Sequence, residues 1–198
     1  MDSQAADGAL RRVVLWVMLL NLGYFGVEFA VALAIGSVSL FADSIDFLED
    51  ASLNFLIVMA LGWSALNRAR IGMVLAALLL VPGLATLWTA WEKFNDPVVV
   101  APLPLSLTGA GALLVNLTCA LLLLAHREHG SSLARAAFLS ARNDVLANFA
   151  IVIAGVVTAA TLSTWPDLVV GLGIALMNAD AAWEVWQAAR KEHREARA

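Results

Sequence analysis

Two short stretches of this sequence hold acids where apolar side chains would be expected. The first reads Phe41-Ala42-Asp43-Ser44-Ile45-Asp46-Phe47-Leu48-Glu49-Asp50 and sits in an otherwise apolar run from 38 to 63. On a helix, Asp43, Asp46 and Asp50 fall within an arc of about 60°, Asn54 continues their stripe, and Glu49 points further round. The second reads Phe138-Leu139-Ser140-Ala141-Arg142-Asn143-Asp144-Val145-Leu146-Ala147-Asn148. Here Ser140, Asp144 and Asn148 follow one another at i, i+4 spacing on one helical face. Carboxylate oxygens from two helices, with neutral oxygens beside them, are what a hard or borderline divalent cation needs in exchange for its hydration shell. The candidate ligands are Asp46, Asp50 and Asp144, with Ser140 next and Asn148 and Asp43 as lesser alternatives.

The elements that must position these groups are membrane helices. Of the 198 residues, 61% are apolar and 14% charged, and the mean hydropathy is +0.82. A soluble core cannot use that much apolar material, whereas a bilayer span takes about 20 residues of it per helix. Six segments can be drawn, at 13–35, 38–63, 71–93, 104–126, 133–160 and 165–189. Asp46 and Asp50 then lie roughly 12–18 Å from the start of the second segment, and Asp144 lies roughly 16 Å from the start of the fifth. These segments run in opposite directions, so both stripes meet near mid-membrane. Ionisable groups at that depth are costly and mark a pathway or a site.

Turn residues separate the segments: Gly36-Ser37, Asn67-Arg68-Ala69-Arg70, Asn95-Asp96-Pro97 with Pro102 and Pro104, 126–132, and Ser163-Thr164-Trp165-Pro166-Asp167. Pro82-Gly83 inside the third segment predicts a kink. Arg11, Arg12, Arg68, Arg70, Arg127, Arg135, Arg190, Lys191, Arg194 and Arg197 all fall on one side of a six-span arrangement, with Lys93 flanking the other. The positive-inside rule then places both termini in the cytoplasm, with outer loops near residues 36, 95 and 164. The expected organisation is a cytoplasmic N-terminal tail at 1–12, a six-helix membrane domain at 13–189, and a short cytoplasmic tail at 190–198 with no C-terminal domain.

Other features bound the chemistry. The formal charge of −4 comes from acids inside apolar runs, which argues against a nucleic-acid partner. Cys119 is the single cysteine and is expected to pack as a small apolar residue. The first apolar run carries Asn21 and Glu28 without a small-residue cleavage pattern, so it reads as a retained helix. His126 and His129, beside Arg127 and Glu128, are placed to gather metal at an entrance or to form a solvated turn. Arg142 lies about 160° around the helix from Asp144, and Glu49, Glu28 and Asp180 are its candidate partners. Trp63, Trp91 and Trp165 near segment ends fit an interfacial aromatic belt.

Gly36-Ser-Val-Ser-Leu-Phe-Ala-Asp-Ser-Ile-Asp-Phe-Leu-Glu-Asp50 and Arg135-Ala-Ala-Phe-Leu-Ser-Ala-Arg-Asn-Asp144 resemble the cation diffusion facilitator family of metal/proton antiporters. The neighbourhood of Asn116 and Trp165-Pro-Asp-Leu-Val-Val-Gly-Leu-Gly-Ile-Ala-Leu176 resemble it as well. That family holds zinc or a similar ion with two residues on its second helix and two on its fifth. The resemblance therefore implies Asp46, Asp50, Ser140 and Asp144, with Ser140 standing where the family commonly has His or Asp. It also implies a homodimer; members usually carry a cytoplasmic metal-binding domain after the sixth helix, and this sequence looks like a short form without it.

The sequence thus predicts an all-α polytopic membrane protein, a six-helix bundle in a bacterial-type inner (cell) membrane with cytoplasmic termini. Its expected function is export of a divalent cation of the zinc, manganese, iron, cobalt or cadmium class from the cytoplasm by proton antiport. Its expected partners are the lipid bilayer, the cation, protons and a second copy through membrane helices, with no permanently bound cofactor. The alternative is a non-transporting homologue acting as a regulatory or partner membrane subunit. No positioned nucleophile accompanies the carboxylates, so an intramembrane enzyme is not expected.

Overall fold

A computed structural model of the chain describes residues 2–60, 65–124 and 132–195. They form six helices: α1 (Asp2–Ile35), α2 (Val38–Ala60), α3 (Ala65–Asn95), α4 (Pro102–Leu124), α5 (Ser132–Thr161) and α6 (Trp165–Glu195). Three stretches, Arg11–Ile35, Pro102–Leu124 and Asn143–Thr161, are individually long and apolar enough to cross a membrane. Helix α2 equals α4 in length at 23 residues, but its four carboxylates place it outside that set. Helix α3 stays helical through Pro82-Gly83.

The radial pattern reverses that of a water-soluble protein. Trp16, Leu33, Leu107, Leu121, Phe149 and Val156 are exposed, while Asn21, Glu28, Asp43, Asp50, Asn116 and Asn148 are buried. Lipid accepts the apolar exterior without cost, and the polar groups gain partners only inside. The chain is an all-α polytopic membrane protein.

Helix α2 packs against all five of the others, so the acid-rich element lies at the centre. Among the pairs, α1 with α2, α4 with α5, and α3 with α6 pack most closely, and α5 lies against α2. An apolar cluster including Ala32, Leu40, Phe41, Val100, Leu105 and Ile151 fills the bundle toward the end that carries the α1–α2, α3–α4 and α5–α6 turns, here termed the tight-turn end.

The start of α2 is fixed there by a buried polar clasp. Gly36 ends α1 at φ 63, and Ser37 N–H closes the helix on Ala32 O at 3.0 Å. Glycine suits this left-handed position because it has no Cβ to clash. Ser37 then caps α2, its Oγ accepting from Leu40 N–H at 3.1 Å. Asp167 of α6 accepts from Val38 N–H at 2.9 Å, Ser39 N–H at 3.2 Å and the Ser37 and Ser39 hydroxyls at 2.6 Å each. The ammonium of Lys93, at the end of α3, donates to Asp167 Oδ2 and to Gly36 O, both at 2.7 Å. An anion at the helix N-terminus, neutralised by a buried lysine, thus joins α2, α3 and α6. Gly171 lets α6 lie directly on this turn, since a Cβ there would stand 2.6 Å from Val38 C.

Candidate metal centre

Helix α2 presents Asp43, Asp46, Glu49 and Asp50 over two turns, and α5 presents Asp144 and Asn148 over one. The two helices bring the predicted acids together. Asp46 is partly exposed and lies within electrostatic reach of Asp144, Asp43, Glu49 and Asp50. Asp144, also partly exposed, approaches Asp50 to hydrogen-bonding range and feels the field of Asp43 and Glu49. Asp50 is 8% exposed and accepts a long bond of 3.4 Å from Asn21 Nδ2 on α1. Cys119 on α4, a free and buried thiol, donates weakly to Asn21 Oδ1 at 3.7 Å. The Asn21 amide therefore links α4 through α1 to the Asp50 carboxylate.

Asn148 and Asp43 form a separate level, one helical turn nearer the tight-turn end. Asn148 Nδ2 donates to both carboxylate oxygens of Asp43 at 2.8 Å each. Glu28 on α1 faces Asp43 within hydrogen-bonding range, yet no donor reaches either of its own oxygens. Tyr24 lies nearby, but its hydroxyl donates to Thr108 O at 2.7 Å.

The remaining predicted residues divide by position. Ser140 sits on α5 one turn before Asp144, and its side chain lies outside the described residues, as does that of Arg142. His126 and His129 lie outside the described residues altogether. Of the three proposed partners for Arg142, Glu28 faces Asp43, Asp180 is exposed and Glu49 is buried beside Asp50. Among the described residues, no three His, Cys, Asp or Glu side chains already stand in a metal cage.

Sequence reasoning offered Glu28 only as a partner for Arg142, and it did not place Asn21 or Glu28 beside the acids or foresee the Lys93–Asp167 clasp. A signal for Asn21 and Glu28 was present: they are seven residues apart, which puts them within about 20° on one face of α1. The clasp had no periodic signal, because its members come from three helices.

Facing carboxylates from two central helices, inside an apolar bundle, can strip and hold a hydrated cation. No curated protein sequence matches this chain closely enough to count as a relative. The family model described as the cation efflux transmembrane domain matches residues 14–191, nearly the whole chain and every helix that carries the acids. This chain is a cation transporter of the membrane, with metal ions as substrates, and it belongs to the cation efflux transmembrane domain family.

Proposed function

We propose that the protein exports a divalent metal cation from the cytoplasm in exchange for protons, and that Asp46, Asp50 and Asp144 hold the ion. The observation that carries this reading is the approach of Asp144 to Asp50, with Asp46 within electrostatic reach, at the centre of the bundle. Anions this close in an apolar interior need positive charge, which either the metal ion or protons can supply. Exchange of one for the other keeps the interior near neutrality through the cycle. The packed cluster of Ala32, Leu40 and Ile151 closes the tight-turn end, while Asp46 and Asp144 retain some exposure. The charge asymmetry supports taking that closed end as the outer one, and this reading then takes the conformation as shut to the outside.

The proposal includes a cell-membrane location, cytoplasmic termini and a homodimer associated through membrane helices, which crosslinking in the native membrane would test. The function itself is tested in proteoliposomes holding a pH-sensitive dye and offered Zn, Mn, Co, Fe and Cd in turn. Uptake of at least one ion with an opposite proton flux is expected. Purified protein that moves none of them and binds none would sink the proposal and favour a non-transporting partner subunit.

A further inference from the structure

Three polar groups above the candidate centre are not used by it. Glu28, Asp43 and Asn148 come from α1, α2 and α5, and each is 0% exposed. Glu28 and Asp43 are carboxyl to carboxyl, with neither Glu28 oxygen receiving a hydrogen bond. Asn148 Nδ2 donates to both carboxylate oxygens of Asp43 at 2.8 Å each, and its own Oδ1 is buried with no partner. Nearby donors are engaged elsewhere: Tyr24 on Thr108 O, Ser44 on Phe41 O and Asn178 on Ala42 O. The five carboxyl and amide oxygens of these three side chains thus share one donor group, the Asn148 amide.

Such a set is costly as it stands, because buried acceptors without donors forfeit their hydration. It is also the oxygen-only environment that a hard cation takes up. The Asn148 amide makes the switch simple: with the site empty its NH2 bonds Asp43, and a half-turn about its last torsion presents Oδ1 instead. An aspartate at 148 would lack the donor and a leucine would lack the acceptor.

The position of the set gives it a role. One turn further along the same helices stand Ala32, Leu40 and Ile151, members of the apolar cluster that closes the tight-turn end. One turn back lie Asp46 and Asp144. The polar level is thus the last one before the plug.

We propose that Glu28, Asp43 and the Asn148 amide oxygen form a second cation site, a staging position for a hard divalent ion between the central carboxylates and the tight-turn end. The pathway role rests on the transport reading above, whereas the binding site does not.

Equilibrium binding of Mn2+ to the full chain in lipid nanodiscs, counted by electron paramagnetic resonance, tests it. Two ions per chain are expected, one lost in Glu28→Gln and the other in Asp46→Asn. The glutamine is isosteric and can donate to Asp43, so the fold should hold. A single ion that Asp46→Asn removes and Glu28→Gln leaves would overturn the second site while sparing the transport reading; a proton shared by Glu28 and Asp43 gives this result. A single ion with the reverse pattern would support the second site and refute the central one. No bound ion would refute both. Asn148→Asp guards against misfolding of the first variant: its melting temperature should fall in chelator and rise with Mn2+ by more than that of the wild type. An equal rise in the two proteins would count against the proposal.

Discussion

Asp167 and Asp144 are both aspartates inside the bundle, and what surrounds them separates their roles. Asp167 is satisfied by a lysine, two hydroxyls and two backbone amides, so nothing more needs to bind. Asp144 and Asp46 are surrounded mainly by other carboxylates, so binding a cation removes repulsion as well as adding bonds. Asp46→Asn, Asp50→Asn and Asp144→Asn should each bring ion flux to background in proteoliposomes with helix content unchanged by circular dichroism. Near-normal flux in all three would end the site assignment. Ser140, one turn before Asp144, contributes at most a neutral hydroxyl, and zinc prefers nitrogen or sulfur to oxygen. Ser140→His should therefore raise the zinc-over-manganese binding ratio by roughly tenfold, an energy of about 1.4 kcal/mol. Competition binding reads this directly, and an unchanged ratio would place residue 140 outside the ligand set. The acids themselves were legible in the sequence because they interrupt apolar runs at helical spacing. The division of Asp43 and Asn148 from Asp46 and Asp144 into two levels was not, because it depends on the axial offset between α2 and α5.

Helices were legible for the same reason, as long apolar segments punctuated by Gly, Pro and Asn, and the described residues form six of them in the all-α architecture expected. How they are tied together was not legible. Lys93 reads in the sequence as a charge flanking an outer loop, yet it is 7% exposed and bonded to Asp167, 74 residues away. The clasp explains why α2 can begin inside the protein: its first amides bond a carboxylate instead of water. Lys93→Met should be strongly destabilising, by about 3–5 kcal/mol, because Asp167 would keep a buried charge without its counterion. Lys93→Met combined with Asp167→Asn should cost less than Lys93→Met alone, since no uncompensated charge remains. Chemical denaturation in detergent compares the two. If the double variant were the less stable, the ion pair would be secondary and the capping bonds of Asp167 would hold the clasp.

The charge distribution of the folded chain sharpens the expectation about its orientation in the bilayer. Lys93 was the one basic residue on the side of the tight turns, and its charge is spent on Asp167. Asp96 and Glu92 near that end are exposed acids. At the opposite end, Arg11, Arg12, Arg70, Arg190 and Arg194 are exposed at the ends of long helices that run past the apolar segments. Free positive charge is therefore concentrated at the end holding both termini, which the positive-inside rule assigns to the cytoplasm. The native thiol does not interfere with a labelling test, since Cys119 is 0% exposed. In intact cells, Asp96→Cys should react with a membrane-impermeant maleimide, while Arg190→Cys should react only after the membrane is opened. Unmodified protein should stay unlabelled in both conditions. The reverse pattern would invert the molecule, making the plugged end cytoplasmic and turning the proposed export into uptake. Labelling of both positions in intact cells would mean that the six helices do not all cross, and the level of Asp46, Asp50 and Asp144 would no longer lie at mid-membrane.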